Sequence, residues 1–141
     1  MWIFTRYGFF SVVNKTSDLL NTEHVDQRVE VRSRYKQHLQ MLKDRFEEQI
    51  GDAVILGFDD PNSLYKNRDY EYRIIINAED WVHLGAMLSS DVTYPNFKDE
   101  VSASCEEDKR LAATPYLEQL YSVYNSVQND DRWESLTDTI N

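Results

Sequence analysis

Arg28, Arg32 and Arg34 fall at even-numbered positions of one short stretch, Arg28-Val29-Glu30-Val31-Arg32-Ser33-Arg34. Alternate residues of an extended chain share a face, so these three guanidiniums project together, with Glu30 among them. Arg73 takes the outward position of a second stretch, Tyr70 to Ile76. An arginine fork grips phosphate or carboxylate through two parallel hydrogen bonds. If the two stretches are neighbours, the four arginines form a candidate site for a small anion, a phosphate or a nucleotide. Tyr7 and Tyr65 are candidates to stack nearby. The simpler reading is cross-strand ion pairing with Glu30 and Glu71, which needs no ligand and is worth little energy.

Other reactive types are scattered. His24, His38 and His83 form no His-x-x-x-His pair, and Cys105 has no Cys-x-x-Cys partner. A metal site would need distant residues brought together. Cys105 is followed by Glu106, Glu107 and Asp108, which oppose a thiolate. Those carboxylates, like Asp59 and Asp60, lie in polar contexts, whereas acid–base catalysis needs two carboxyls in different environments. Asp59-Asp60-Pro61-Asn62 lacks the glycine and terminal glutamate of a calcium loop. The four glycines are dispersed, so there is no phosphate-cradling loop. The sequence therefore supplies no catalytic residue, no metal site and no cofactor, and leans away from an enzyme.

The elements that must position the arginines are legible. Tyr70, Tyr72, Ile74 and Ile76 alternate with Glu71, Arg73 and Ile75, the period of a half-buried strand. At Asn77 the period changes. Trp81, Leu84 and Leu88 are spaced for one side of a helix that Asn77 is placed to cap. Trp2 to Thr5 and Phe9 to Val13 read as a bent strand or a short hairpin about Tyr7-Gly8. Asn14 to Asp26 reads as a loop. Arg28 to Arg34 is a strand with a charged outer face. Tyr35, Leu39, Leu42, Phe46 and Ile50 follow at helical spacing, with Gly51 as a C-cap candidate. Val54 to Phe58 reads as a short strand. Beyond Pro95, Phe97 and Val101 suit a short helix. Thr114-Pro115 looks like the start of another, with Leu117, Leu120, Tyr124 and Val127 as its apolar stripe. This order predicts an α+β fold: an antiparallel sheet of about four strands, helices packed on one face, and C-terminal helices. Residues 1–128 form one domain. Residues 129–141 are a polar tail, in which Trp133, Leu136 and Ile140 are spaced for a short docking helix.

Bulk properties set the limits. At 141 residues and 41% hydrophobic content, a core can form without disulfides or metal, and the single cysteine excludes an intramolecular disulfide. The formal net charge is −10, and residues 91–141 hold eleven acidic against four basic side chains. Such a balance repels phosphate backbones and anionic membranes at long range, which disfavours direct nucleic-acid binding. No stretch approaches the roughly 20 apolar residues of a membrane span. The apolar opening is interrupted by Arg6 and lacks a cleavage site. The expected location is the cytoplasm.

The opening Met1-Trp2-Ile3-Phe4-Thr5-Arg6-Tyr7-Gly8-Phe9-Phe10-Ser11-Val12-Val13 resembles a family of small uncharacterised bacterial and phage-type proteins that begin in this way. The resemblance continues through Val31 to Arg34, Asp69 to Ile74 and Tyr94 to Lys98. It covers most of the chain in outline, with a longer loop at 14–26 and a longer tail after 128. Members carry no assigned activity, so the resemblance implies no site residues, and nothing in it contradicts a compact α+β domain.

Three functions follow as expectations. The first is a non-enzymatic binding domain that meets a protein partner, or a second copy of itself, through an aromatic C-terminal helical surface. Its anchors are Tyr116, Tyr121 and Trp133, with the two tyrosines lying off the apolar stripe. The second is an anionic-ligand binder using Arg28, Arg32, Arg34 and Arg73. The third is an acidic inhibitor that mimics nucleic acid.

Overall fold

A computed structural model describes residues 1–15, 27–57 and 69–128. Strands β1 (Trp2–Thr5), β2 (Gly8–Asn14), β3 (Arg28–Ser33) and β4 (Tyr72–Asn77) form one antiparallel sheet in the order β1-β2-β3-β4. The helices are α1 (Lys36–Arg45), α2 (Glu47–Ile50), α3 (Ala78–Ser90), α4 (Phe97–Glu107), α5 (Lys109–Ala112) and α6 (Tyr116–Gln128). The α+β architecture expected from the element order is the one observed. Among the described residues, no helix is long and apolar enough to cross a membrane.

Period-two alternation explains the core. Phe10 and Val12 of β2, Val31 of β3, and Ile74 and Ile76 of β4 all point to one face. There they meet Leu39 and Leu42 of α1, Phe46, Ile50 of α2 and Leu84 of α3, all buried. Each such side chain contributes about 1.5–3 kcal/mol by leaving water. A second cluster lies on the other side of α1, where Met41 packs with Val101, Leu111, Tyr116 and Leu120. Helix α1 is thus held between the sheet and the C-terminal helices.

Several local expectations are refined. The helical run from Tyr35 to Ile50 breaks at Phe46, whose φ of −119° and ψ of 43° leave the helical region. Asn77 occupies the N-cap of α3, but its side chain makes no capping bond. Gly51 follows α2 in right-handed geometry, not as a left-handed cap. Between 54 and 57 only Leu56 pairs, as an isolated bridge to Arg73. Helix α4 runs on through the small and acidic residues to Glu107, because Val101 and Ser104 keep one face buried. Asn96 caps it, its side chain accepting from the amides of Lys98 and Asp99.

The β1–β2 hairpin turns at Arg6-Tyr7. Thr5 Oγ1 accepts from the Tyr7 amide and donates to the Gly8 carbonyl. Gly8 has φ +139°, and a Cβ there would lie 2.3 Å from Cγ of His38. Only glycine permits that backbone angle and that approach. Gly85, in the middle of α3, has open space where its Cβ would be. Substituting the two glycines should therefore move stability in opposite directions. Gly8→Ala should cost about 3 kcal/mol in urea denaturation, and Gly85→Ala should gain about 0.5–1 kcal/mol. A harmless Gly8→Ala would contradict the seating of His38 against the hairpin.

Candidate functional site

The face of the sheet turned away from α1 holds the chemistry. Register places Trp2, Ser11, Arg32 and Arg73 in one row across all four strands, with Phe4 opposite Phe9 in the next. Arg32 is therefore the direct cross-strand partner of Arg73, a like-charge pairing that is unfavourable by itself. The two guanidiniums resolve this differently. Arg73 Nη1 donates to Oε1 of Glu30 at 3.0 Å, and Nη2 donates to the Tyr70 carbonyl at 2.5 Å. This ion pair is buried, its side chains 6% and 5% exposed. Removing either partner would strand a buried charge, at about 3–5 kcal/mol.

Arg32 donates through Nη2 to Ser11 Oγ at 2.7 Å. Its guanidinium carbon lies 4.9 Å from the centre of the Tyr70 ring, and that of Arg34 lies 5.8 Å from the same ring. Among the described residues, neither arginine has a carboxylate partner. The Nε of Arg32 is buried without a hydrogen bond. Two positive charges thus gather on one tyrosine, with no counter-ion among the described residues. An aromatic strip leads away from them. Tyr70 is 6.4 Å from Phe9, Phe9 stacks on Phe4 at 4.6 Å, and Trp2 meets Phe9 edge-on at 6.1 Å. Trp2 is 71% exposed and Phe4 38%.

Three of the four arginines picked out in the sequence therefore converge, in different roles. Arg32 and Arg34 are available to a ligand, while Arg73 takes the ion-pair reading and anchors Tyr70. Arg28 sits at the far end of β3, beside a separate cavity of about 330 Å³ lined by Glu47, Glu48, Asp52 and Asp80. Tyr7 does not stack there. Its hydroxyl donates to Asp91 at 2.6 Å and accepts from Arg45 Nε at 3.1 Å, and burial raises its pKa. Tyr65 lies outside the described residues. Tyr70, Trp2 and Phe4 are the residues that sequence reasoning missed. The alternation of Trp2 and Phe4 with Ile3 and Thr5 was the available signal.

One of the three expected helical anchors, Tyr116, needs correction. Tyr116 is wholly buried, its hydroxyl donating to the Thr5 carbonyl at 2.9 Å, so it is core and not an interface. The stripe of α6 is rotated from the expected one, with Tyr116 and Leu120 inward and Val127 59% exposed. Tyr121 is 41% exposed. Trp133 and the rest of the tail, 129–141, lie outside the described residues.

His38 is the most perturbed titratable group. It is buried, and Nδ1 accepts from the Phe9 amide at 3.3 Å. Thr114 Oγ1 donates its proton to the Leu111 carbonyl, so it accepts from His38 Nε2 at 3.1 Å. Both ring nitrogens are satisfied by the neutral Nε2–H tautomer. Ser33 Oγ lies 3.2 Å from Nδ1, but serine and histidine are both buried away from any substrate. The triad-like arrangement is a structural knot. Cys105 is half-buried, and burial pushes its thiol up, away from nucleophilic use. Among the described residues, no three metal-binding side chains are grouped to hold an ion.

No family model, curated protein or solved structure matches the chain. The resemblance of its opening residues accordingly assigns no role, and the site rests on its own geometry.

Burial lowers the His38 pKa from 6.5 to about 4. The unfolded chain then binds one more proton between those values. His38 stabilises the fold fully above pH 6.5, and that stabilisation, about 3 kcal/mol, is lost as the pH falls toward 4. Urea midpoints measured from pH 7 to 4.5 should fall more steeply for the native protein than for His38→Gln. Parallel profiles would remove His38 from the account.

Proposed function

We propose that the protein is a non-enzymatic binding module whose outer sheet face holds a small anionic ligand between Arg32 and Arg34. The observation that carries this is the pair of guanidiniums gathered on Tyr70 without a carboxylate among the described residues. Bringing like charges together is costly, and a phosphate or carboxylate bridging them would offset the cost through charge-assisted hydrogen bonds. Arg73 and Glu30 act as positioning residues. Their ion pair holds the Tyr70 carbonyl, and with it the ring, beside the strand.

The overall charge of −10 does not argue against such a site. Exposed charges are screened over about 8–10 Å at physiological salt. A small ligand therefore responds to the nearest groups, which here are arginines. The same charge does oppose a long polyanion.

A second reading is favoured by a groove of about 510 Å³ between α4 and α6, lined by Phe97, Leu120, Val123, Tyr124 and Val127. The Lys98 ammonium lies 3.5 Å from the Tyr124 ring centre and 5.7 Å from that of Tyr121. This surface is the place for a protein partner or a second copy. Nucleic-acid mimicry gains less support, since Glu100 is taken by Arg6 and Asp108 by Arg110.

Two measurements test these readings. Inorganic phosphate at ten times its dissociation constant should raise the melting temperature by roughly 4 °C. Arg34→Glu, at an exposed position, should abolish the shift and keep the fold. Absence of any shift in the native protein would end the anion reading. For the helical surface, Tyr121→Glu should turn an oligomer toward monomer in size-exclusion chromatography; an unaltered elution volume counts against an interface there.

A further inference from the structure

The aromatic strip beside the arginines has no role in holding an anion, and it carries the next step. Resting on the anion reading of Arg32 and Arg34, we propose that the ligand is a nucleotide. Its base stacks on Trp2 and Phe4 of β1, and its phosphates lie between the two arginines.

Four observations converge. Trp2 and Phe4 share the outward face of an edge strand and are 71% and 38% exposed. An exposed aromatic pair on an edge strand invites aggregation, so its presence calls for an occupant. The strip is packed within itself, because Phe9 stacks against Phe4 and meets Trp2 edge-on. It is also continuous with the cationic end through Tyr70. Finally, its length fits. Neighbouring strands lie about 4.8 Å apart, so β1 and β3 are separated by about 10 Å. That is the span from a base to the outer phosphate of a nucleoside diphosphate.

Other occupants fit less well. A free phosphate leaves the aromatic strip uncovered. A single-stranded nucleic acid would stack on the same rings, but its repeated charges would meet a protein of net charge −10. A second copy meeting this face across a two-fold axis would set Arg32 and Arg34 near their own symmetry mates. A single nucleotide uses both halves of the site and needs only two local cations.

Calorimetric titration of the full chain with ADP, pyrophosphate and the oligonucleotide (dT)10 separates these cases. ADP should bind about tenfold tighter than pyrophosphate, the expected effect of one stacked base. Trp2→Ala should erase that difference while leaving pyrophosphate binding unchanged, and Phe4→Ala should act in the same direction. Trp2 is exposed, so its removal leaves the core intact. Equal affinity for ADP and pyrophosphate overturns the nucleotide assignment and leaves the anion site standing. Binding of neither ligand overturns both. Tighter binding of (dT)10 than of ADP shows a face that tracks a strand, and overturns the single nucleotide.

Discussion

The pairing of β3 with β4 is the constraint on which the rest depends, and the buried Arg73–Glu30 ion pair secures it. A one-residue slip would send Val29, Val31, Ile74 and Ile76 to the wrong face. It would also strand Glu30 and Arg73 in low dielectric without each other. Hydrophobic burial and the ion pair therefore specify the same register. That register places Arg32 opposite Arg73. Because Glu30 is spent on Arg73, Arg32 and Arg34 keep their positive charge for something else. A buried pair on the outer face thus leaves, among the described residues, a cationic pair without a carboxylate beside it.

His38 performs a comparable task on the other side of the sheet. Its ring joins the β2 backbone, Ser33 at the end of β3, and Thr114 between α5 and α6. It also packs against Phe10, Tyr35 and Tyr116. Gly8 clears the space for it. The C-terminal helices are thereby fixed to the sheet by a neutral imidazole, with Tyr116 supplying the second tie at Thr5. The sheet is thus anchored from its reverse side at the end where Phe9, Phe4 and Tyr70 meet.

Much of this was legible in the chain. Alternation in Arg28 to Ser33 and Tyr72 to Ile76 located two strands and their buried faces, since period two is imposed by the pleat. The break at Pro95 and the start of a helix near Phe97 followed from backbone restrictions of proline. What escaped depends on contacts distant in sequence. Tyr116 read as a surface anchor because the helical spacing of α6 admits two stripes, and only the Thr5 carbonyl and the His38 ring decide between them. Tyr70 read as part of the β4 alternation, whereas the strand starts at Tyr72 and the Tyr70 ring lies against the arginines. His38 looked like an ordinary helical histidine; nothing local announces Gly8 or Thr114 as its neighbours. The four arginines were recognised as a group, but their division into a paired residue, a remote one and two available ones is set by register.

The central claim is that Arg32 and Arg34 on the outer sheet face, and no other cationic group, receive the ligand. Chemical-shift mapping by nuclear magnetic resonance tests it most directly, using an isotope-labelled full-length chain titrated with pyrophosphate. The account predicts saturable shifts in the Nε–H signals of Arg32 and Arg34 and in the amides of Ser11 and Tyr70, with α4 and α6 unchanged. Shifts centred on Arg28, Arg110 or the α4–α6 groove, or none at all, would contradict it.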